Sequence, residues 1–411
     1  MSVFIDVTDS CKSAKNTGVQ RVTRQLFAAL SSQTRVTPIC WNRLGNYYHR
    51  LGARELARLT KPFSEHKSPM ARPELRGEEI VGETKRWIKS KRINLSELKD
   101  GDVFLIPDIY TDRRTKKLPA IIESSPARAI AIFHDAATLR LNLFSRAAAL
   151  RFRKYVASLA AYDLVICISE QSQSDLRQLW KESEITRLPE TSVERWPVEF
   201  DEKERAPTPQ SSRDVVLCVG SFDSRKNHLA LLEAASQLWE SGLDFELEII
   251  GKSTAPGRRS VIPKIRSLQA MGQPLSWLKH VDDSALHRAY RECKFTVYPS
   301  LYEGFGLPIL ESLWHGKPCV CGNNGALGEV AGEGGCLVVD QSNPASLAEG
   351  MRRLLTEHET RAALSDQAQQ RNFGSWSDYV DRLLLHFDGK VTPMRQHRPV
   401  DKAIPVATGS R

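Results

Sequence analysis

A chain of 411 residues exceeds what one ordinary hydrophobic core supports and fits two domains of roughly 150 to 200 residues each. Its 41% hydrophobic and 26% charged residues are normal for a globular protein, and no apolar run approaches the roughly 20 residues that cross a bilayer, which excludes a membrane-spanning protein. The net charge of +9 predicts an anionic partner without choosing among nucleic acid, a lipid surface and phosphorylated substrates. Residues 1–6 lack the pattern of a secretory signal, so we expect a cytoplasmic protein with reduced cysteines.

In the first half of the chain, short apolar segments alternate with helical patterns, which is typical of βαβ units around a mostly parallel sheet. The predicted strands are Val3–Val7, Val36–Trp41, Val103–Ile106, Ile130–Phe133 and Leu164–Ile168. Residues 50–100 are rich in charged residues and proline, so helices and loops at the domain edge are predicted there. We predict that residues 1–205 form the first domain, with an α/β fold.

A polar, proline-bearing stretch over residues 200–213 has the composition of a linker and indicates a domain boundary. Beyond it the predicted strands are Val215–Val219, Phe245–Ile250, Phe295–Tyr298 and Cys336–Val339, and the predicted helices are His228–Glu240, Ser284–Glu292 and Pro308–His315. We predict a second doubly wound domain over 206–374, which faces the first across a cleft at the carboxyl ends of the strands. The polar residues 389–411 predict a disordered basic tail.

The stretch 302–311, which reads YEGFGLPILE, is the most informative part of the sequence. Its glycines lie between a predicted strand and a predicted helix, where loop amides and the helix N-terminus form an anion site. Glu303 and Glu311 flank the loop, and an ionised carboxylate can accept hydrogen bonds from two neighbouring hydroxyls. A phosphate between two hydroxyl-rich groups describes a nucleotide sugar. Taken alone, the glycines more often mark only a turn.

The full string resembles the Glu-x7-Glu signature of the retaining nucleotide-sugar glycosyltransferases of family four, which have the GT-B fold. The resemblance implies two Rossmann-like domains and a metal-independent transfer with retention that needs no cofactor beyond the nucleotide-sugar donor. It also implies that Glu303 faces the donor sugar and that Glu311 binds the ribose hydroxyls. The amides of the residues Phe305, Gly306 and Leu307 would hold the diphosphate. In this fold the last helix, predicted within 375–388, crosses back to the first domain.

A basic segment, 220–228, directly follows the first strand of the second domain and reads GSFDSRKNH. Cations at the carboxyl end of a strand can neutralise a diphosphate, and a departing phosphate that gains charge benefits most from them. A surface Arg-Lys pair is more often simply solvated. The segment resembles the phosphate-binding Arg-Lys-Asn of the family, which favours Lys226 as the first phosphate ligand and Arg225 as the second.

Two segments of the first domain also resemble functional parts of the family. His134 follows the strand Ile130–Phe133, where it either donates a hydrogen bond to the sugar or only caps and packs. The resemblance places it in the donor-sugar and acceptor pocket. The segment 16–21, NTGVQR, resembles the glycine-rich loop near the donor phosphates, although Gly18 also fits an ordinary turn or C-cap. Ser169 is predicted as a helix N-cap with a structural role.

Taken together, the patterns and the resemblance predict His134, Glu303 and Lys226 as catalytic residues and Gly18, Arg225, Phe305, Gly306, Leu307 and Glu311 as donor-binding residues. No metal ligand set is predicted, because Cys319 and Cys321 lack a second ligand pair at zinc-site spacing.

The expected partners are a nucleotide sugar, with GDP-mannose as the first expectation and UDP- and dTDP-sugars open, and a glycan or lipid-linked acceptor in bacterial surface polysaccharide synthesis. The basic stretch 146–154 suits docking on the inner face of an anionic membrane, or equally a solvated helix face. Two alternatives stay open: an epimerase or phosphorylase on the same fold, and a non-catalytic basic protein that binds nucleic acid. No nucleic-acid motif is present, so nucleic acid is not an expected partner.

Overall fold

The computed structural model describes residues 1–12, 18–60, 92–141, 144–200, 214–279 and 281–389. The predicted linker, from residue 201 onwards, and the predicted tail, from residue 390 onwards, lie outside these residues, as does most of the predicted edge region 50–100. None of the helices in the described ranges is long and apolar enough to cross a bilayer.

The first sheet contains eight strands within the described ranges, in the order β4-β3-β2-β1-β5-β6-β7-β8. Their bounds are β1 Val3–Asp6, β2 Val36–Asn42, β3 Tyr47–Arg50, β4 Arg92–Ile93, β5 Val103–Ile106, β6 Arg128–Phe133, β7 Leu164–Cys167 and β8 Glu190–Val193. From β2 to β8 neighbouring strands are parallel, and the central ones are continuous apolar runs because helices cover both faces.

The antiparallel edge of this sheet corrects the sequence prediction. Residues 50–100 were expected to form helices and loops, yet Arg92–Ile93 pairs with β3, which itself returns antiparallel to β2. The signal was missed because β3 is short and carries polar residues. Its Tyr48 ring packs edge-on against Trp41 and Phe104, with ring centroids 5.0 and 5.5 Å apart, and this burial holds the strand in place.

Helices of the first domain connect and cover these strands. They are Thr8–Lys12, Gly18–Gln33, Ala53–Thr60, Arg114–Glu123, Ala137–Arg140, Arg146–Ser158 and Glu170–Glu182. Ser169 caps the last of them, because its hydroxyl accepts a hydrogen bond from the Ser172 amide at 3.1 Å, which agrees with the predicted N-cap.

The second sheet contains six parallel strands in the order β11-β10-β9-β12-β13-β14, again counted within the described ranges. Their bounds are β9 Val215–Val219, β10 Glu246–Ile250, β11 Leu275–Leu278, β12 Phe295–Tyr298, β13 Cys319–Cys321 and β14 Cys336–Val338. The helices around them are His228–Glu240, Ala255–Arg259, Val261–Ala270, Asp283–Glu292, Leu307–Trp314, Ala326–Ala331, Pro344–Thr356 and His358–Gln370. This strand order is that of a doubly wound Rossmann-like domain, as predicted.

The two domains share one apolar cluster and a final helix. Trp376–Phe387 packs on Gly18–Gln33, where its buried Tyr379 and Leu383 join Leu26 in a single core cluster. The same cluster contains residues of the second domain, including Ile309. The carboxyl ends of the two sheets therefore face each other across a closely packed cleft.

Candidate active site

The candidate site lies where two neighbouring strands of the second sheet, β9 and β12, end. The chain order of the sheet reverses between these strands, and such a reversal opens a crevice for ligands at the carboxyl ends. After β9 a short 3-10 turn, Ser224–Lys226, carries two cations, and after β12 a loop leads into the helix Leu307–Trp314. Both loops therefore deliver polar side chains to the same crevice.

A glycine in the left-handed region starts the helix Leu307–Trp314. Gly306 has a φ of 101°, which strains any residue with a side chain, and Pro308 stands in the first turn, where its missing N–H costs nothing. Pro308 has no N–H and the Ile309 amide donates to the Gly306 carbonyl at 3.0 Å, so the amides that this helix start offers to an anion are those of Gly306 and Leu307. Phe305, by contrast, buries its ring against Trp196, with centroids 5.7 Å apart. The structure thus places Gly306 and Leu307 at the helix start, and the backbone of Phe305, whose amide belongs to the same prediction, lies directly before them.

Glu303 is buried between two cations. Its Oε1 lies 2.6 Å from Lys226 Nζ, its Oε2 lies 2.6 Å from Arg225 Nη1, and the Ser300 hydroxyl donates to it at 2.5 Å. Burial would raise the pKa of Glu303, but Lys226 and Arg225 outweigh it and hold the pKa at about 2. The carboxylate is therefore ionised, and it orients both cations that the sequence proposes for the diphosphate.

The two cations differ in how they are held. Lys226 also donates to the Tyr298 hydroxyl, and burial lowers the pKa of its ammonium, although Glu303 opposes that shift. Arg225 donates to the Tyr302 carbonyl at 3.0 Å, and Glu303 raises its pKa even though burial opposes this. A Lys has three donors and an Arg five, so each cation has more donors than its contact with Glu303 uses.

The first domain approaches this loop at a glycine. A Cβ on Gly304 would lie 2.4 Å from the His134 carbonyl oxygen, so only glycine permits the contact. The Ser169 hydroxyl donates to the Gly304 carbonyl at 2.7 Å, which gives this predicted N-cap a second contact across the cleft. The Glu-Gly pair of the signature is thus also a contact point between the domains.

His134 is buried with its ring 5.1 Å from that of Trp196. Its Nε2 lies 2.5 Å from the Pro107 carbonyl oxygen, which only accepts, so Nε2 carries the proton. Burial lowers the pKa of His134 to about 4, and the ring is neutral near pH 7. Its Nδ1 has no hydrogen-bond partner among the described residues. The buried Nδ1 is therefore an acceptor, whereas the sequence suggested that the ring donates a hydrogen bond to a ligand.

Glu311 lies one helix turn beyond the glycine loop, and protein donors contact both of its oxygens. The Tyr290 hydroxyl donates to Oε2 at 2.9 Å, and Arg21 of the first domain pairs with Oε1 across the cleft. Gly18 begins the helix that carries Arg21, and a Cβ on Gly18 would lie 3.6 Å from Leu307. The structure thus brings Gly18 and Glu311 to the same crevice as Gly306. The preceding residues of the predicted loop, 13–17, lie outside the described part of the chain.

Several side chains of this crevice were not predicted as site residues, among them Arg21, Asp135, Tyr290, Tyr298 and Ser300. Asp135 lies beside the loop, since a Cβ on Gly304 would be 2.7 Å from the Asp135 Cβ, and burial raises the pKa of Asp135 while Arg225 opposes the shift. Asp135 carried a sequence signal as the neighbour of His134, and Arg21 carried one as the last residue of the segment 16–21. The tyrosines come from elements whose orientation depends on the whole sheet, and Arg21 depends on how the domains meet.

A group of possible metal ligands lies in the first domain. Ligand atoms of Cys11, Cys40 and Glu55 lie within 4.8 Å of one another. The Glu55 carboxylate also accepts from the Gly52 amide at 2.9 Å and contacts His49 at 3.4 Å. Helix capping and thiol packing account for these contacts, and the group shares no residue with the crevice described above.

The architecture defines the class of protein: two doubly wound domains facing across a cleft form the GT-B fold. The solved sucrose-phosphate synthase from Thermosynechococcus elongatus superposes on 94% of this chain and 98% of its own, with a TM-score of 0.68 at 18% identity. The fold predicted from the Glu-x7-Glu resemblance is confirmed.

Residues 199–371, which include most of the second domain, match the family model of the glycosyl transferases group 1. Among curated relatives, an O-antigen chain mannosyltransferase B of Escherichia coli is 32% identical over 174 residues, which are 41% of this chain and 44% of the relative. The serotype-specific mannosyltransferase WbdA of Escherichia coli is 22% identical over 398 residues, which are 93% of this chain and 46% of the relative. The chain spans less than half the length of these curated relatives.

Proposed function

We propose that the chain is a retaining, metal-independent glycosyltransferase that moves a hexose from a nucleotide sugar to a glycan or lipid-linked acceptor. The observation that carries the proposal is the ionised Glu303 held between Arg225 and Lys226 beside the Gly306 helix start. This arrangement puts cations, free amides and a hydroxyl acceptor in one crevice. A nucleotide sugar needs all three.

In the proposed reaction the diphosphate lies against the Leu307–Trp314 helix start, with Lys226 and Arg225 beside it. The bond between the anomeric carbon and the diphosphate oxygen breaks, and the leaving group gains charge that these cations stabilise. The acceptor hydroxyl forms the new bond on the same face of the sugar, and its proton passes to the departing phosphate oxygen. Configuration is therefore retained without a covalent intermediate.

The sugar ring is proposed to lie between Glu303 and His134. Donor-sugar hydroxyls can donate to the Glu303 carboxylate and to the bare Nδ1 of His134, which is neutral near pH 7 because burial lowers the pKa of His134 to about 4. The close contact at Gly304 excludes water from the reacting bond and limits hydrolysis of the donor.

Two relatives named as mannosyltransferases support mannose as the transferred sugar and GDP-mannose as the first donor to test. One of them is an O-antigen chain enzyme by name, which supports a role in bacterial surface polysaccharide synthesis. For a lipid-linked acceptor we propose a peripheral contact with an anionic membrane through Arg146–Ser158. This helix exposes Leu150 together with Arg146 and Arg151, and Phe144 is exposed just before it.

A thermal-shift screen against GDP, UDP, dTDP and ADP, each with magnesium and with EDTA, tests the donor class. Stabilisation by one diphosphate that survives EDTA is expected, because a ligand that binds only the folded state raises the melting temperature. Glu303→Gln should abolish transfer from the matching sugar donor, while Glu349→Gln, at an exposed carboxylate of the same domain, should not. The anomeric coupling of the product, measured by NMR, tests retention. No shift with any diphosphate would reject the donor site.

A further inference from the structure

Arg21 contacts the carboxylate that the proposed function assigns to the donor ribose. It belongs to the first turn of Gly18–Gln33 and crosses the cleft to Glu311 Oε1, while Tyr290 of Glu311's own domain holds Oε2. The Arg21 side chain is 26% exposed and that of Glu311 is 5% exposed. Because Arg21 comes from the facing domain, it approaches Glu311 from the cleft side. A ribose must arrive from that side as well.

A displaced Arg21 needs another anion at once. The guanidinium cannot lose its proton, and Glu311 raises the pKa of Arg21 further. A partly buried cation left without a partner is strongly unfavourable. The anion that arrives together with a ribose is the diphosphate of the same nucleotide.

The position of Arg21 on its helix puts that diphosphate within reach. Arg21 lies one turn after Gly18, so the two residues share a helix face. A Cβ on Gly18 would lie 3.6 Å from Leu307, the first residue of the helix that would bind the diphosphate. The same helix turn therefore borders both the proposed ribose-binding position and the proposed phosphate-binding position.

Resting on the proposed function, we propose that Arg21 is a donor-binding residue that exchanges partners. It leaves the Glu311 carboxylate when the ribose hydroxyls bind there, and it pairs with the donor diphosphate instead. A nucleoside, which has no phosphate, displaces Arg21 without offering it a new partner. The exchange thus makes ribose binding depend on the presence of the diphosphate. It also brings a residue of the first domain into contact with a donor that carries both groups.

The test compares the affinities of a nucleoside and of its diphosphate, for example guanosine and GDP. Both are measured by calorimetry on the full chain, with the base that the thermal-shift screen selects. In Arg21→Gln the diphosphate should bind about tenfold to a hundredfold more weakly, since a charge-assisted contact is lost. The nucleoside should bind as tightly as to the unmodified chain or more tightly, because its competitor for Glu311 is gone. The ratio of the two dissociation constants therefore shrinks.

Arg195→Gln is the matched control. Arg195 also contacts the other domain, at Glu329 (3.1 Å) and Glu333 (2.5 Å), but neither of these partners is a residue of the donor crevice. In Arg195→Gln the ratio of the nucleoside and diphosphate dissociation constants should match that of the unmodified chain. Melting temperatures check that both variants fold. Equal weakening of nucleoside and diphosphate in Arg21→Gln, or no change in either, would overturn the exchange. Failure of the unmodified chain to bind any diphosphate would instead remove the proposed function on which it rests.

Discussion

The carboxyl ends of the two sheets carry buried charges in opposite proportion. In the second domain, two cations contact one carboxylate, Glu303. In the first domain, one guanidinium, Arg114, is surrounded by carboxylates. It contacts Asp6 at 2.8 Å, Asp112 at 3.0 Å and Asp9 at 3.5 Å.

This difference favours an anionic ligand at the second-domain end only. Cations that share one carboxylate keep donors for an added anion, so the second domain suits a diphosphate. The carboxylates of the first-domain end repel phosphate, so this end is unsuited to a diphosphate. Arg114 is 1% exposed and holds its cluster together, whereas Arg225 is 21% exposed and available to a ligand. The same substitution at the two ends should therefore have different effects.

Arg114→Met is expected to have the largest effect, on stability. It leaves Asp6 and its neighbours without their shared cation, and breaking a buried ion pair in this way costs about 3 to 5 kcal/mol. Urea unfolding monitored by circular dichroism measures the loss. Arg43→Met, at an exposed arginine that also contacts Asp9 and Asp112, should cost far less. Equal costs for the two variants would contradict a structural role that is specific to Arg114.

Lys226→Met is expected to affect transfer instead. Removing a fixed cation that stabilises a departing phosphate should lower kcat by about a hundredfold to a thousandfold. The unfolding free energy should change little, because Arg225 still neutralises Glu303. Initial rates with the donor found in the screen, together with urea unfolding, separate the two effects. A stable variant with full activity would remove Lys226 from the proposed mechanism.

Gly304→Ala tests the contact between the two ends. The added Cβ would meet the His134 carbonyl oxygen at 2.4 Å, so the domains cannot approach as closely. A displacement of about 1 Å at a reacting centre can lower the rate about a hundredfold, which is the expected loss in kcat/KM. Gly52→Ala is the control, since the nearest atom to its Cβ would be 3.8 Å away. Unchanged kinetics in Gly304→Ala would show that the close approach is not needed for transfer.

The sequence predicted the second-domain end better than the first. Glu303, Glu311 and Lys226 come from two short segments whose spacing identifies them, and each segment is positioned by its own strand end. Arg114 and Asp6 are 108 residues apart, and neither lies in a recognisable motif. Their contact depends on how the strands are ordered, which local patterns do not encode. Arg21 lies in the segment 16–21 that resembles a loop of the family, but its contact with Glu311 of the other domain depends on how the two domains meet.

Two further features could not be predicted from local sequence patterns: the antiparallel edge of the first sheet and the tautomer of His134. A two-residue strand such as Arg92–Ile93 is too short to produce a periodic pattern, and only pairing with β3 defines it. His134 was found because it follows a strand. The Pro107 carbonyl, however, determines that Nε2 carries the proton and that Nδ1 is the acceptor, and no local pattern places that carbonyl beside the ring.

Asp108 tests the acidic end of the first domain through the pH dependence of stability. It is buried, its Oδ1 accepts from the Thr23 hydroxyl at 2.6 Å, and burial raises its pKa from 3.8 to about 7. The folded chain then binds a proton that the unfolded chain releases between about pH 4 and 7. Stability should therefore fall with rising pH across this window, by up to about 1.4 kcal/mol per pH unit.

Asp108→Asn imitates the protonated form and should remove this contribution. His134 acts in the opposite direction, because a pKa lowered to about 4 makes stability rise between about pH 4 and 6.5. The contribution of His134 cancels when the unfolding free energies of the unmodified chain and Asp108→Asn are subtracted, because both chains contain His134. The variant should gain relative stability from pH 5 to pH 8. A difference independent of pH would mean that Asp108 is already ionised at pH 5, so that the acidic end of the first domain holds a further negative charge.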